Sequence, residues 1–259
     1  MAKKTIILIH GFRGTHDGLG LIASHLKKHA TIIPDLPGFA EGDTLERYDL
    51  DAYVEWLAVF IKKQNLKTPP ILLGHSFGSI VGAAYAAKYG DTIEKLILVN
   101  PIGAPALEGP RGVLSKLAVF YYWLGTVLPG KLSHKWLASV AVVDIMSLTM
   151  TKTDDKKLRA YIKDQHRQYF SLFHSSTSVS ESFTTSVSNS VRDVAKKITV
   201  PTLLIAGAKD DITPVSKQKE LVQLFPNAQL EVIEDVGHLT HYETPDQVSL
   251  LVEAFIKLP

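Results

Sequence analysis

The sequence predicts an α/β fold: a doubly wound, mainly parallel sheet of about six strands that carries an inserted helical cap. Three observations point there. Short β-branched apolar runs alternate with longer amphipathic ones. The apolar runs are nearly continuous, as expected of strands covered on both faces. The alternation then stops for about a hundred residues in the middle of the chain, too long a gap for a loop inside one domain. With 259 residues, 46% of them hydrophobic, the chain is long enough for one such domain plus an insertion.

In order, the strands are read at residues 5–9, 31–33, 71–73, 96–99, 202–206 and 230–233, and helices at 19–29, 50–64, 76–89, 215–225 and 245–257. In the second helix Tyr53, Trp56, Leu57, Phe60 and Ile61 repeat at i, i+3, i+4, i+7 and i+8, which marks one buried stripe. The domain plan that follows is a core of residues 1–101 and 196–259 interrupted by a helical cap over 102–195. That cap is aromatic, with Phe120, Tyr121, Tyr122, Trp123, Trp136, Tyr161, Tyr169, Phe170 and Phe173. Most of these are expected to pack, and the rest to line an apolar pocket between cap and sheet. Residues 171–190, rich in serine and threonine, read as a solvated surface segment.

Composition excludes several classes of function. A net charge of +2, from 28 basic and 26 acidic side chains, gives no electrostatic footprint for nucleic acid. The absence of cysteine removes thiol nucleophiles, disulfides and cysteine-ligated zinc. The ten histidines are scattered, and none forms a His-x-x-x-His pair with an adjacent glutamate. No G-x-G-x-x-G loop follows a strand, so neither a cofactor nor a metal is expected. Met1-Ala2-Lys3-Lys4 is basic, but the apolar stretch after it is too short for a signal-peptide core. The longest apolar segment, residues 117–128, is bracketed by Lys116 and Lys131 and is too short to span a bilayer. The expectation is a cytoplasmic protein acting on a small molecule, with no transmembrane segment.

Ligands of doubly wound sheets bind beyond the carboxyl ends of the strands, so chemistry is sought in the residues that follow each apolar run. Gly74-His75-Ser76-Phe77-Gly78 sits between a strand and a helix and reads as a nucleophile elbow. A serine hydroxyl needs a base, an acid to orient that base, and donors for an oxyanion. His238, after the last strand, supplies the base, and Asp210, after the strand before it, supplies the acid. Asp210 is preferred to its neighbour Asp211 for its spacing from Gly207 and Pro214, since one loop cannot aim two successive side chains at the same ring. The backbone N–H groups of Phe12 and Phe77 are the oxyanion candidates. His10 reads as a loop anchor, His75 as a packing residue and His241 as a surface or rim residue. Asn100 cannot serve as the carboxylate.

These motifs, with His10-Gly11-Phe12, Asp35-Leu36-Pro37-Gly38 and the run from Pro201 to Asp210, make the chain resemble the α/β-hydrolase superfamily. The likeness is to its small capped esterase and carbon-carbon hydrolase branches, over residues 5–101 and 196–259. It implies a serine hydrolase that cleaves carboxylic esters of small to medium apolar substrates through an acyl-enzyme. The alternatives it leaves open are carbon-carbon bond hydrolysis, a monoglyceride lipase, and a ligand-binding receptor-like module on the same fold. Relatives with dehalogenase or epoxide hydrolase activity carry aspartate where this chain has Ser76, which argues against both. Such proteins usually begin with an antiparallel hairpin that is missing here, so six parallel strands are expected, with a bare edge on which a homo-oligomer could pair. Arg13 stands where some relatives have proline or glycine, and reads as a basic group at the entrance or a solvated side chain. The cap carries none of the motifs on which the resemblance rests, so substrate-binding residues stay unassigned.

Overall fold

The computed structural model describes residues 3–104 and 112–258, without the side chains of 112–116; Met1 and Ala2 lie outside it. The first half runs β1 (Thr5–Ile9), α1 (His16–His25), β2 (Ala30–Ile32), α2 (Leu50–Lys63), β3 (Ile71–His75), α3 (Phe77–Tyr89) and β4 (Lys95–Val99). Among the described residues five α-helices follow: α4 (Gly112–Val127), α5 (Gly130–Leu137), α6 (Val140–Met150), α7 (Lys156–Tyr169) and α8 (Ser176–Ser188). The sheet then resumes with β5 (Thr202–Gly207), α9 (Val215–Val222), β6 (Ala228–Ile233), α10 (Thr240–Glu243) and α11 (Pro245–Lys257).

The six strands lie in the order β2-β1-β3-β4-β5-β6, and every neighbouring pair is parallel. Strands β3, β4 and β5 are buried at every position, which explains their unbroken apolar sequence. The pleat divides their side chains. Leu72, Leu96, Leu98 and Leu204 join a core shared with α2 and α3, whereas Leu73, Ile97, Val99 and Leu203 face Leu19 and Ile22 of α1 and Val248, Val252 and Phe255 of α11. Each fully buried leucine or isoleucine contributes about 1.5–3 kcal/mol relative to an exposed one. Among the described residues, no helix is long and apolar enough to cross a membrane.

Within the fold, the structure departs from the sequence reading most at three places. Strand β6 is not covered on both faces: it is an edge strand, and Gln229 and Glu231 face solvent. Helix α1 ends at His25 rather than 29, and it starts at His16 rather than 19 because its first N–H is capped from afar. The Asp35 carboxylate, at the end of a different strand, accepts from the His16 N–H at 2.6 Å. Residues 171–190 are no solvated segment, since α8 buries Val179, Ser182, Phe183, Thr185 and Val187 against the core. Its hydroxyls pass into the interior because each finds a partner: Ser182 Oγ donates to the Ser178 carbonyl, and Thr185 Oγ1 donates to the Tyr48 carbonyl at 2.8 Å.

Candidate active site

Strand order reverses between β1 and β3, and the loops leaving their carboxyl ends meet at Ser76. Ser76 joins β3 to α3 with φ 53° and ψ −117°, a left-handed backbone that lifts its hydroxyl out of the turn. The elbow packs through bare backbone. A Cβ on Gly74 would overlap the Gly78 carbonyl, and one on Gly78 would overlap that of Ile9.

The three predicted side chains come together. His238 Nε2 lies 2.8 Å from Ser76 Oγ, and His238 Nδ1 lies 2.8 Å from Asp210 Oδ2. An Nδ1–H donating to the carboxylate leaves Nε2 free to accept from the serine hydroxyl. Asp210 is held from every side. Its Oδ1 accepts from the N–H groups of Ile212 (2.7 Å) and Thr213 (2.9 Å), and its Oδ2 also accepts from Asn100 Nδ2 at 2.8 Å. Burial pushes the Asp210 carboxyl upward, but the His238 ring and the bonds from Thr213 outweigh it and hold the group well below the carboxylate range. The neighbouring Asp211 instead pairs with Lys152 Nζ at 2.7 Å.

Asn100 is a residue the sequence reading set aside. Its backbone is left-handed at φ 46°, and its Oδ1 accepts from Thr240 Oγ1 at 2.6 Å, so its amide ties Asp210 to the start of α10. Its place directly after a buried strand, at the carboxyl edge, was the available signal.

The other histidines divide. His10 anchors its loop as expected, with Nδ1 donating to the Gly11 carbonyl and Nε2 accepting from the Leu36 N–H, both at 2.8 Å. His75 is buried and donates from Nε2 to the His238 carbonyl at 3.1 Å; burial, then the nearby His238, lowers it to about 3. His241 is not at the rim: it is buried with its ring 4.2 Å from that of His75, and burial holds it well below the usual histidine range. Its position depends on how the short α10 folds under the sheet edge, which spacing does not reveal.

For the oxyanion candidates, a Cβ on Gly11 would stand 3.2 Å from Ser76 Cβ, so the backbone leading into Phe12 lies against the serine. Phe77 opens α3, where first-turn N–H groups have no partner within the helix. The Phe12 and Phe77 rings meet edge-on at 6.5 Å.

Arg13 corrects the sequence reading most clearly, because it is neither solvated nor free for an acidic substrate. It is 1% exposed, in a left-handed conformation at φ 58°. Its Nε donates to the Phe170 carbonyl (2.7 Å), Nη2 to the Leu137 carbonyl (2.8 Å) and Nη1 to the Tyr122 hydroxyl (3.2 Å). Its guanidinium also lies over the rings of Phe170 and Phe173. One side chain from the Phe12 loop thus ties together α4, the end of α5 and the end of α7.

Ser76 and His238 open onto a cavity of about 270 Å³ walled by Phe12, Phe77, Phe183 and Met146 among others. The aromatic side chains of the inserted helices split three ways. Tyr169 and Phe170 line the cavity, Tyr122 and Phe173 pack inside, and Phe120 and Trp123 face solvent. The last group fits neither expected role.

A parallel sheet with a left-handed serine at the switch point, hydrogen-bonded to a histidine that is paired with an aspartate, defines the class as a hydrolase of the α/β type. The chain belongs to the alpha/beta hydrolase fold family, whose profile matches residues 4–245. Lipase 1 of Psychrobacter immobilis is 27% identical over 270 residues, covering 98% of this chain and 77% of its own. Human Monoacylglycerol lipase ABHD6 is 25% identical over 268 residues, covering 98% and 75%. The enol-lactonase from Burkholderia xenovorans LB400 superposes with a TM-score of 0.82 at 18% identity, over all of this chain and 93% of that one, which speaks to the fold.

Proposed function

We propose that this chain is a serine hydrolase of carboxylic esters with small to medium apolar groups, and that Ser76, His238 and Asp210 are its catalytic triad. The observation that carries the reading is the unbroken relay from Ser76 Oγ through His238 to Asp210, with 2.8 Å at both steps, on the wall of a largely apolar cavity. In the reaction, Ser76 Oγ attacks the acyl carbon while its proton passes to His238 Nε2. The oxyanion is held by the N–H groups of Phe12 and Phe77, each worth roughly a hundred- to a thousandfold in rate. Collapse breaks the ester bond, and the leaving alcohol takes the proton from His238. Water then gives its proton to the same nitrogen and attacks the acyl-enzyme, releasing the carboxylic acid and restoring Ser76. Residues 102–195 act as a cap over the cavity, and the location is cytoplasmic, which fractionation of the tagged chain checks.

Hydrolysis of p-nitrophenyl esters of graded acyl length tests this. The expected result is turnover with a maximum at short to medium chains, reduced to background in Ser76→Ala. Folded protein that turns over no ester, or a Ser76→Ala variant as fast as the parent, overturns it. A second reading, hydrolysis of monoacylglycerols, is supported by the similarity to Monoacylglycerol lipase ABHD6; a higher kcat/KM for a monoacylglycerol than for the matched p-nitrophenyl ester would favour it.

A further inference from the structure

Exposed apolar side chains are not scattered over this molecule. Among the described residues, ten of the sixteen exposed large hydrophobic side chains fall between Leu117 and Leu148. Isolated exposed leucines need no explanation, but a concentration of this kind does. On α4, Phe120 (55% exposed), Trp123 (54%) and Val127 (55%) recur at i, i+3 and i+7, one stripe along the helix, with Leu117 beside it. The opposite face of the same helix is inside the protein: the Tyr122 ring stacks on Phe183 at 4.0 Å and meets Phe12 at 5.6 Å.

Helix α5 continues the patch. Its inner side buries Ser133 and Leu137, while Leu132 and Trp136 stand exposed at i and i+4, and Lys131 and Lys135 form a second exposed pair alongside them. Trp136 joins the two helices, since its Nε1 donates to the Tyr121 carbonyl at 3.0 Å and its ring lies 5.4 Å from that of Tyr121. The sequence around the patch is free of acid. No aspartate or glutamate occurs from Gly109 to Val143, whereas Arg111, Lys116, Lys131 and Lys135 do.

We propose that the outer face of α4 and α5 docks on the surface of a lipid bilayer that contains anionic lipid. The chemistry is that of an interfacial helix pair: an apolar stripe to enter the acyl boundary, tryptophans for the headgroup level, and lysines for phosphate. Charge decides between this occupant and a second copy of the chain. A two-fold self-contact would set Lys131 and Lys135 against their own counterparts with no carboxylate on α4 or α5 to answer them, whereas an anionic bilayer supplies the missing charge. Docked this way, α4 has lipid on one face and the Phe12 loop on the other, so an amphiphilic ester leaving the bilayer arrives next to the cavity. Docking does not depend on Ser76 being a nucleophile, so its test stands apart from that of the proposed function.

The test is co-sedimentation of the full chain with vesicles of phosphatidylcholine alone and with added phosphatidylglycerol, together with tryptophan emission and its quenching by brominated lipid. The parent should bind the anionic vesicles, more weakly as salt rises, with a blue-shifted and quenched emission. Phe120→Ser with Trp123→Ser should cut partitioning about tenfold while hydrolysis of a soluble short-chain ester and thermal stability hold. Lys131→Glu with Lys135→Glu should lower binding to anionic vesicles and leave the weak binding to neutral ones unchanged. A parent chain that neither sediments with anionic vesicles nor shows quenching overturns the proposal without recourse to any variant. So does a lipid-free dimer that Trp123→Ser converts to monomer, which would assign the face to a second copy.

Discussion

The sheet and the inserted helices are built on opposite principles. In the sheet, β3, β4 and β5 are buried along their whole length, their register is fixed by parallel ladders, and the polar groups at their ends are tied by several hydrogen bonds each. The inserted helices expose much of their apolar surface and join the rest through scattered links, among them Arg13, the Tyr53–Ser182 hydroxyl pair at 2.7 Å, the Thr185 bond to the Tyr48 carbonyl, the Lys152–Asp211 pair and the bridge between Phe39 and Phe173. The proposed proton relay thus sits at the hydrogen-bonded edge of the sheet. The shape of the cavity, and what covers the molecule's apolar face, belong to the part that neighbours can change.

The largest expected effect falls on the sheet side. Asp210→Asn should lower kcat by about four orders of magnitude with KM for a short ester nearly unchanged, because the amide cannot hold the His238 tautomer. A rate within about tenfold of the parent, measured on protein of unaltered thermal stability, would break the assignment of chemistry to the sheet.

Next comes the joint between the two parts. Arg13→Ala leaves two buried carbonyls and a hydroxyl without their donor, and should cost on the order of 3 kcal/mol of stability, read by denaturant unfolding. Arg13→Lys should recover only part of this, since an ammonium cannot reproduce the planar fork. If both variants melt with the parent, the inserted helices are held by something other than this side chain.

A third test uses acid. Burial lowers His75 to about 3, His166 to about 4 and His241 well below its usual range. In each case the unfolded chain, with histidine near 6.5, takes up the proton before the folded one does. The stability these groups allow is therefore complete above about pH 6.5 and is lost as pH falls toward 4, and for His75 toward 3. The melting temperature should drop steadily across that window. His166→Leu, on α7, should flatten the drop only slightly, and an unchanged slope there would place the acid sensitivity entirely at the sheet edge.

The smallest effect should come from the cavity wall. Met146→Trp on α6 fills part of the cavity that Ser76 also lines and should move the preferred acyl length downward, with a change of about fivefold in kcat/KM for the longer esters. An unaltered chain-length profile would remove α6 from substrate choice.

The same contrast explains what the sequence disclosed. Strands buried on both faces leave continuous apolar runs, and the residues directly after them are forced to the carboxyl edge, so Ser76, Asp210 and His238 could be found one by one. What stayed hidden depends on partners far along the chain. Arg13 is buried by carbonyls of Leu137 and Phe170, more than a hundred residues away, and nothing near position 13 announces them. The serine-rich α8 looks solvated until Ser182 is seen to share its hydroxyl with Tyr53. Asn100 offers no carboxylate, and its role as a donor to Asp210 appears only when β4 and β5 lie side by side. A short apolar run does not distinguish β6, an edge strand that needs apolar residues on one face only, from a strand covered on both.

Labelling with a fluorophosphonate, with the adduct mapped by mass spectrometry, shows whether Ser76 is a nucleophile activated through His238. A single adduct is expected on the peptide carrying Ser76, absent in Ser76→Ala and slowed by at least about a thousandfold in His238→Ala. An adduct on another residue, or labelling of Ser76 at the parent rate without His238, would contradict it.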